Sequence, residues 1–251
     1  MNKAKIAISI DQGTLQEIDK VIDGQHILSR SQAIEVLLKD AIKKRPVAFA
    51  VMLIKKGDIG HLFNKVRDNV SLIDLHVDFL LRNGITELFL ITEEDELLKE
   101  RVKAIQGVNV TLISEKKQAG TALALSNIQD RTKHSFVVLN GDTFNNFELK
   151  KMLDFHSASN AVATIGLISS KNPNTFGSAV LDGNMIVDFK EKEETGSNII
   201  NAGVYVFNKD VFNFFDKDVK SLERDLFPKL AKLNQLQGFF TKGEYYHAGG
   251  N

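Results

Sequence analysis

The chain contains no cysteine and no tryptophan, and only three prolines and three tyrosines among its 251 residues. Without cysteine there is no disulfide, no thiol nucleophile, no iron–sulfur ligation and no cysteine-based zinc site, so six histidines remain for any metal argument. Net charge is missing too: 32 basic side chains face 32 acidic ones, which argues against broad electrostatic adhesion to nucleic acid. No apolar run approaches the roughly 20 residues that span a bilayer. Asp11 also interrupts the opening MNKAKIAISIDQG too early for a secretory signal. A cytoplasmic chain with no membrane partner is expected. What is present, 43% apolar and 25% charged residues, suits a globular protein with one large domain or a small domain joined to a larger one.

Lys5 to Ile10 alternates strictly, placing Ile6, Ile8 and Ile10 on one face of a short strand. Leu15, Ile18, Val21 and Ile22 then recur at helical spacing until Gly24. Ser29-Arg30-Ser31-Gln32 has the form of a capping box ahead of a second helical stripe, Ala33, Ile34, Leu37, Leu38, Ala41 and Ile42. Strand, helix and helix in so short a segment cannot bury three apolar faces alone, so a second copy is expected against it. Pro46 marks the boundary, giving a small domain over 1–45 and a larger one over 46–251.

The larger part alternates buried apolar strands (48–54, 87–92, 108–113, 136–139) with amphipathic helices (72–81, 96–105, 121–128), the pattern of a mostly parallel α/β sheet. After about residue 160 the texture turns to hairpins, with Asp182-Gly183-Asn184 between SAVL and MIVDF.

KIAISID, LQEIDKVID and SRSQAIEVLLKDAIKK make residues 3–45 resemble the ribbon-helix-helix fold of transcription factors and antitoxins. Two chains of that family form an antiparallel ribbon that enters the DNA major groove. The resemblance implies a homodimer, possible in a larger assembly, that binds DNA. Lys3, Lys5, Ala7 and Ser9 would face the groove, and Ser29, Arg30 and Ser31 the phosphates. The free N–H groups of a helix starting at Ser29 suit a phosphate independently of any family.

Residues from about 47 onward carry HVDFLLRNGITELFLIT, GTALAL (120–125), VVLNGDTF (137–144), TFGSAVLD (175–182), VDFKEKEETGSNIINAGVYVF (187–207) and SLERDLFP (221–228). In this order they resemble the sugar-nucleotidyltransferases, which join a sugar 1-phosphate to a nucleoside triphosphate. The resemblance implies a Rossmann-like, GT-A-like α/β domain with a mixed sheet. It also implies ligand contacts at Gly120, Thr121, Asn140, Asp142, Gly177, Glu191, Lys192, Asn201 and Gly203. Glu115 stands where that family reads the nucleobase with a Gln, and a carboxylate accepts but does not donate.

Three departures set this chain apart. Its triphosphate loop reads LIKKGDIGHLFNKVRDNVSLI, with Lys55 and Lys56 where glycines are usual and no Thr-Arg or Pro-Lys-Pro. Asp142 matches a Mg²⁺ ligand, but His247 replaces the second Asp, and an imidazole suits Mg²⁺ poorly. No cofactor is therefore expected to be required and no residue is assigned as catalytic. The pattern predicts a DNA-binding transcriptional regulator whose large domain is a non-catalytic sensor of a sugar phosphate or nucleotide-sugar. The alternatives are an active sugar-1-phosphate nucleotidyltransferase with an N-terminal dimerisation domain, and an antitoxin-like or scaffolding protein.

Overall fold

A computed structural model describes residues 6–43, 47, 49–67, 69–115, 119–193 and 196–248. The chain divides into two compact units, Met1–Pro46 and Val47–Asn251.

In the first unit α1 (Gln12–Asp19) begins where Asp11 accepts the Thr14 backbone N–H at 3.0 Å and the Thr14 hydroxyl at 2.6 Å. Such a cap contributes about 1 kcal/mol. Asp23 then gathers the N–H groups of Gln25, His26 and Ile27, closing the turn into α2 (Arg30–Lys43). Ser29 caps α2 through the Gln32 N–H, while Gln32 accepts from Leu28 N–H at 2.7 Å, one residue earlier than a capping box requires.

Two expectations fail in this unit. Residues 6–10 form no strand, since a ribbon strand has no ladder partner within one copy of the chain. Lys3 and Lys5 lie outside the described residues. Arg30 is not left for a phosphate: its guanidinium makes a bidentate pair with Asp19 at 2.7 and 2.9 Å. Ala7, Ser9, Ser29 and Ser31 are exposed. Among the described residues the unit buries only Ile18 and Ala33 of its apolar side chains, and leaves Ile6, Ile8, Leu28, Val36, Leu37 and Leu38 exposed.

The second unit is built on a nine-stranded mixed sheet. Its first half is parallel: β1 (Ala50–Leu53) enters a 3₁₀ turn and the single-turn α3 (Ile59–Leu62), followed by the small hairpin β2 (Lys65–Arg67) and β3 (Val70–Ser71). Next come α4 (Leu72–Arg82), β4 (Glu87–Glu93), α5 (Glu96–Val102), β5 (Asn109–Glu115), α6 (Thr121–Ser126) and β6 (Phe136–Asn140). Ser71 and Asp74 form a reciprocal capping box at the start of α4. The strands lie in the order β5-β4-β1-β6, all parallel.

The second half adds β7 (Thr143–Asn146), α7 (Leu149–Ser157), β8 (Ala163–Ser169), β9 (Gly177–Asp182), β10 (Met185–Glu191), β11 (Ile199–Phe207), α8 (Phe227–Lys232), β12 (Leu236–Phe240) and β13 (Glu244–His247). The sheet continues from β6 through β11, β8, β12 and β10 to β9, with β11 antiparallel to both its neighbours. β13 pairs separately with β7 and sets His247 opposite Thr143.

Both faces are covered. Along β1, Val51 and Leu53 enter one apolar core with α6 and α8, while Ala50 and Met52 enter a second with α4 and α7. Each of the larger of these side chains, Val51, Met52 and Leu53, stabilises the fold by about 1.5–3 kcal/mol on burial. The α/β fold expected from the strand and helix spacing, with the mixed sheet that the nucleotidyltransferase resemblance implies, is therefore present in this unit; the ribbon is not.

Candidate functional site

The carboxyl ends of β1, β5 and β6 open into a cleft of about 560 Å³, walled on the far side by Phe176, Gly177, Glu191, Lys192, Asn201, Gly203, Ser221, Glu223, Arg224, Tyr245 and His247. A crevice beyond the carboxyl ends of parallel strands is where open α/β sheets bind ligands. Every ligand-contact residue expected in this unit, Gly120, Thr121, Asn140, Asp142, Gly177, Glu191, Lys192, Asn201 and Gly203, lines it.

β6 delivers Asn140 and Asp142 to the floor. Gly141 between them allows no side chain: a Cβ there would lie 2.3 Å from Ile54 Cγ1. The Asp142 carbonyl accepts from Ala248 N–H at 2.7 Å, so β13 is tied to this corner. As a result His247 Nε2 sits 4.0 Å from Asp142 Oδ2, both side chains about a quarter exposed. The rings of Phe176 and His247 stand nearly perpendicular, with centroids 5.5 Å apart.

β9 and β10 deliver the opposite wall. Gly177 stands opposite Glu191, and a Cβ on it would meet Phe189 at 2.6 Å and the Glu191 carboxylate at 2.7 Å. Burial, reinforced by Glu223, raises the Glu191 pKa above the ordinary carboxylate value, against the pull of Lys192, Arg224 and Lys55. Lys192 has a left-handed backbone, φ 58°, and its N–H donates to the Phe176 carbonyl at 3.1 Å. A non-glycine residue held there is a strained position of the kind that clusters at binding sites.

Thr121 proves to be a fastener. Its hydroxyl donates to Glu223 at 2.9 Å and accepts from Leu222 N–H at 2.8 Å, so it is occupied by protein on both counts. It clamps the start of α6 to a π-helical turn, Leu222–Leu226. That turn brings Glu223 and Arg224 to the cleft. Both lie within SLERDLFP, but which of its side chains face the cleft is set by the extra residue of the π-turn, which shifts the face presented. Asp58 and Tyr245 also line the cleft without having been singled out beforehand.

The lining carries five carboxylates, Asp58, Glu115, Asp142, Glu191 and Glu223, against three cations, Lys55, Lys192 and Arg224. A polyphosphate would enter such a cleft only together with a counter-cation. Among the described residues no group of three His, Cys, Asp or Glu converges on one point. Asp142 is nevertheless sufficient for Mg²⁺ carried on a nucleotide, an ion that takes one or two carboxylates and draws its other oxygens from phosphates and water. His247 does not belong to that oxygen set. Its Nδ1 is buried with no hydrogen-bond partner among the described residues.

Residues 60–245 match the family model described as nucleotidyl transferase. Over 192 residues the chain is 31% identical to the mannose-1-phosphate guanyltransferase of Saccharomyces cerevisiae, covering 72% of this chain and 53% of the yeast protein. The mannose-1-phosphate guanyltransferase of Candida albicans is 30% identical over the same length and shares. The chain thus spans about half the length of these relatives. The inositol-1-phosphate CTP transferase of T. maritima has a similar fold, with a TM-score of 0.66 at 19% identity over 80% of this chain and 89% of that one.

These findings correct the reading of a transcriptional regulator with a non-catalytic domain. The relatives bear the names of enzymes, and the family match over 60–245 includes β5 and β6 and most of the cleft's lining residues. The altered loop around Lys55 and Lys56 had suggested lost catalysis. In the fold it still leaves β1 as a turn and a helical turn, with Lys55 and Asp58 in the cleft and open space at Gly57 and Gly60. DNA binding by Lys3, Lys5, Ala7, Ser9, Ser29, Arg30 and Ser31 falls with the regulator reading.

Proposed function

Because this chain belongs to the nucleotidyl transferase family, we propose that it is an enzyme that transfers a guanylyl group from GTP to a hexose 1-phosphate, with mannose 1-phosphate the first substrate to test. A phosphate oxygen of the sugar 1-phosphate attacks the α-phosphorus, the α–β phosphoanhydride bond breaks, and pyrophosphate leaves with the electron pair. The observation that carries this reading is the convergence of Asp142, Lys192, Asn201 and Glu115 on one cleft.

Phosphoryl-type transfer depends on positioning and charge neutralisation more than on covalent chemistry by the protein. Lys192 suits the sugar phosphate, and Asn140, Asn201 and Gly203 its sugar. Asp142 would hold Mg²⁺, which when bound neutralises charge on the phosphate oxygens. Lys55 stands beside the triphosphate path. Glu115, at the end of β5, offers only acceptors, and guanine presents N–H donors on its base-pairing edge.

The test is pyrophosphate release from GTP with mannose 1-phosphate and Mg²⁺, with GDP-mannose identified by mass spectrometry. Turnover that requires the sugar phosphate supports the proposal. A flat trace across hexose 1-phosphates and all common nucleoside triphosphates overturns it.

For the first unit, the six exposed large apolar side chains favour a dimerisation role, with a second copy of the chain as the partner.

A further inference from the structure

β11 does not run regularly. Between Asn201 and Tyr205 its ladder to β8 advances four residues on β11 and two on β8, from Asn201↔Leu167 to Tyr205↔Ile165. Gly203, with φ 72°, sits inside this bulge, and a Cβ on it would lie 2.2 Å from Thr143 Oγ1. On a regular strand residues four apart are separated by about 13 Å. Here the Asn201 Nδ2 donates to the Tyr205 hydroxyl at 2.8 Å.

Asn140, arriving on the neighbouring strand β6, donates its own amide N–H to the same hydroxyl at 3.2 Å. The Asn201 carbonyl is taken by Gly203 N–H at 2.9 Å. One fully buried phenol oxygen therefore accepts from two amides, and both amides line the cleft while Tyr205 does not. Each Asn is left with one unused amide hydrogen, and Asn201 has no other polar group to offer. Without the phenol oxygen no other hydrogen bond among the described residues would stop the Asn140 amide from turning end for end and presenting its carbonyl instead.

We propose that Tyr205 is a positioning residue for the sugar: through its hydroxyl it fixes Asn140 and Asn201 with their remaining N–H groups as a matched pair of donors to sugar oxygens. This rests on the sugar 1-phosphate reading of the cleft. The aromatic ring itself is a separate matter. It stacks on Phe207 at 5.8 Å and packs against Phe227 at 5.1 Å, contacts that a phenylalanine keeps.

Tyr205→Phe in the full chain is the test. The expected result is a rise of about tenfold in KM for mannose 1-phosphate, the worth of about one hydrogen bond, with kcat and the KM for GTP within about twofold of the parent. Asn201→Ala should raise the same KM, and the double variant should fall short of the product of the two single effects, because the two share the Asn201–Tyr205 contact. Equal rises in both KM values, a fall in kcat alone, or strictly additive effects overturn the proposal, since loss of packing would produce any of them. Calorimetric titration with mannose 1-phosphate, in the absence of nucleotide, separates this inference from the transfer reaction. Binding weakened by Tyr205→Phe in a protein that releases no pyrophosphate upholds the inference and removes the reaction. No binding of mannose 1-phosphate or any other hexose 1-phosphate by the parent protein overturns both.

Discussion

Glu115 shows how much one side chain decides. It ends β5 half-buried, and desolvation, with Glu93 nearby, holds its pKa above the ordinary carboxylate value. Asn127 Nδ2 lies 3.3 Å from Oε1, so the carboxylate is oriented from the α6 side. A purely accepting group opposite a base favours guanine's N–H donors over edges that present a lone acceptor there. Glu115→Gln is therefore expected to lower the preference for GTP over UTP about tenfold, the lower end of what a good bidentate base contact is worth. The ratio of kcat/KM values measures it, and an unchanged ratio would remove Glu115 from base reading. The position is legible in sequence because it sits a few residues ahead of Gly120-Thr121. Tyr205 is not, since an alternating strand pattern puts no emphasis on one inward tyrosine.

Two helices carry histidines that tie stability to pH. His76 on α4 and His156 on α7 are both buried, and burial drives each pKa down to about 4. His156 keeps one contact, its Nδ1 being 2.8 Å from Thr164 Oγ1, whereas the His76 ring rests against Phe144. In the unfolded chain both titrate near 6.5, so as pH falls the unfolded state takes up protons first. The stabilisation is complete above about pH 6.5 and is lost progressively towards pH 4, on the order of 3 kcal/mol for each histidine at the lower limit. Urea midpoints followed from pH 7 to pH 4.5 should show this decline, and His156→Asn should make it shallower. A variant curve parallel to the parent would show that His156 contributes nothing to the slope. That these helices exist is plain from their apolar spacing. That the histidines sit on their covered faces follows only from the sheet on which the helices pack.

At the scale of the molecule the two units pose opposite problems. The second closes two cores on either side of its sheet, while the first leaves Ile6, Ile8 and the Leu37–Leu38 side of α2 in water. Ile8→Lys is expected to convert a dimer of twice the 28.0 kDa chain mass to a monomer in sedimentation at micromolar concentration, with pyrophosphate release retained. A monomeric parent protein would end the dimer reading. Periodicity along the chain determined the boundary near Pro46, the alternation of strands and helices in the larger unit and the motifs that carry its family. These depend on local spacing, which the linear order of residues contains. The chain's altered loop and His247 could not say whether the cleft survives, because that depends on strands distant in sequence meeting at one edge. Only the tertiary structure decided that a π-turn brings Glu223 and Arg224 into the lining and that a bulge sets two asparagines on one phenol oxygen. Each of these arises where the chain departs from regular spacing, and such departures are stabilised by contacts between elements that no local pattern records.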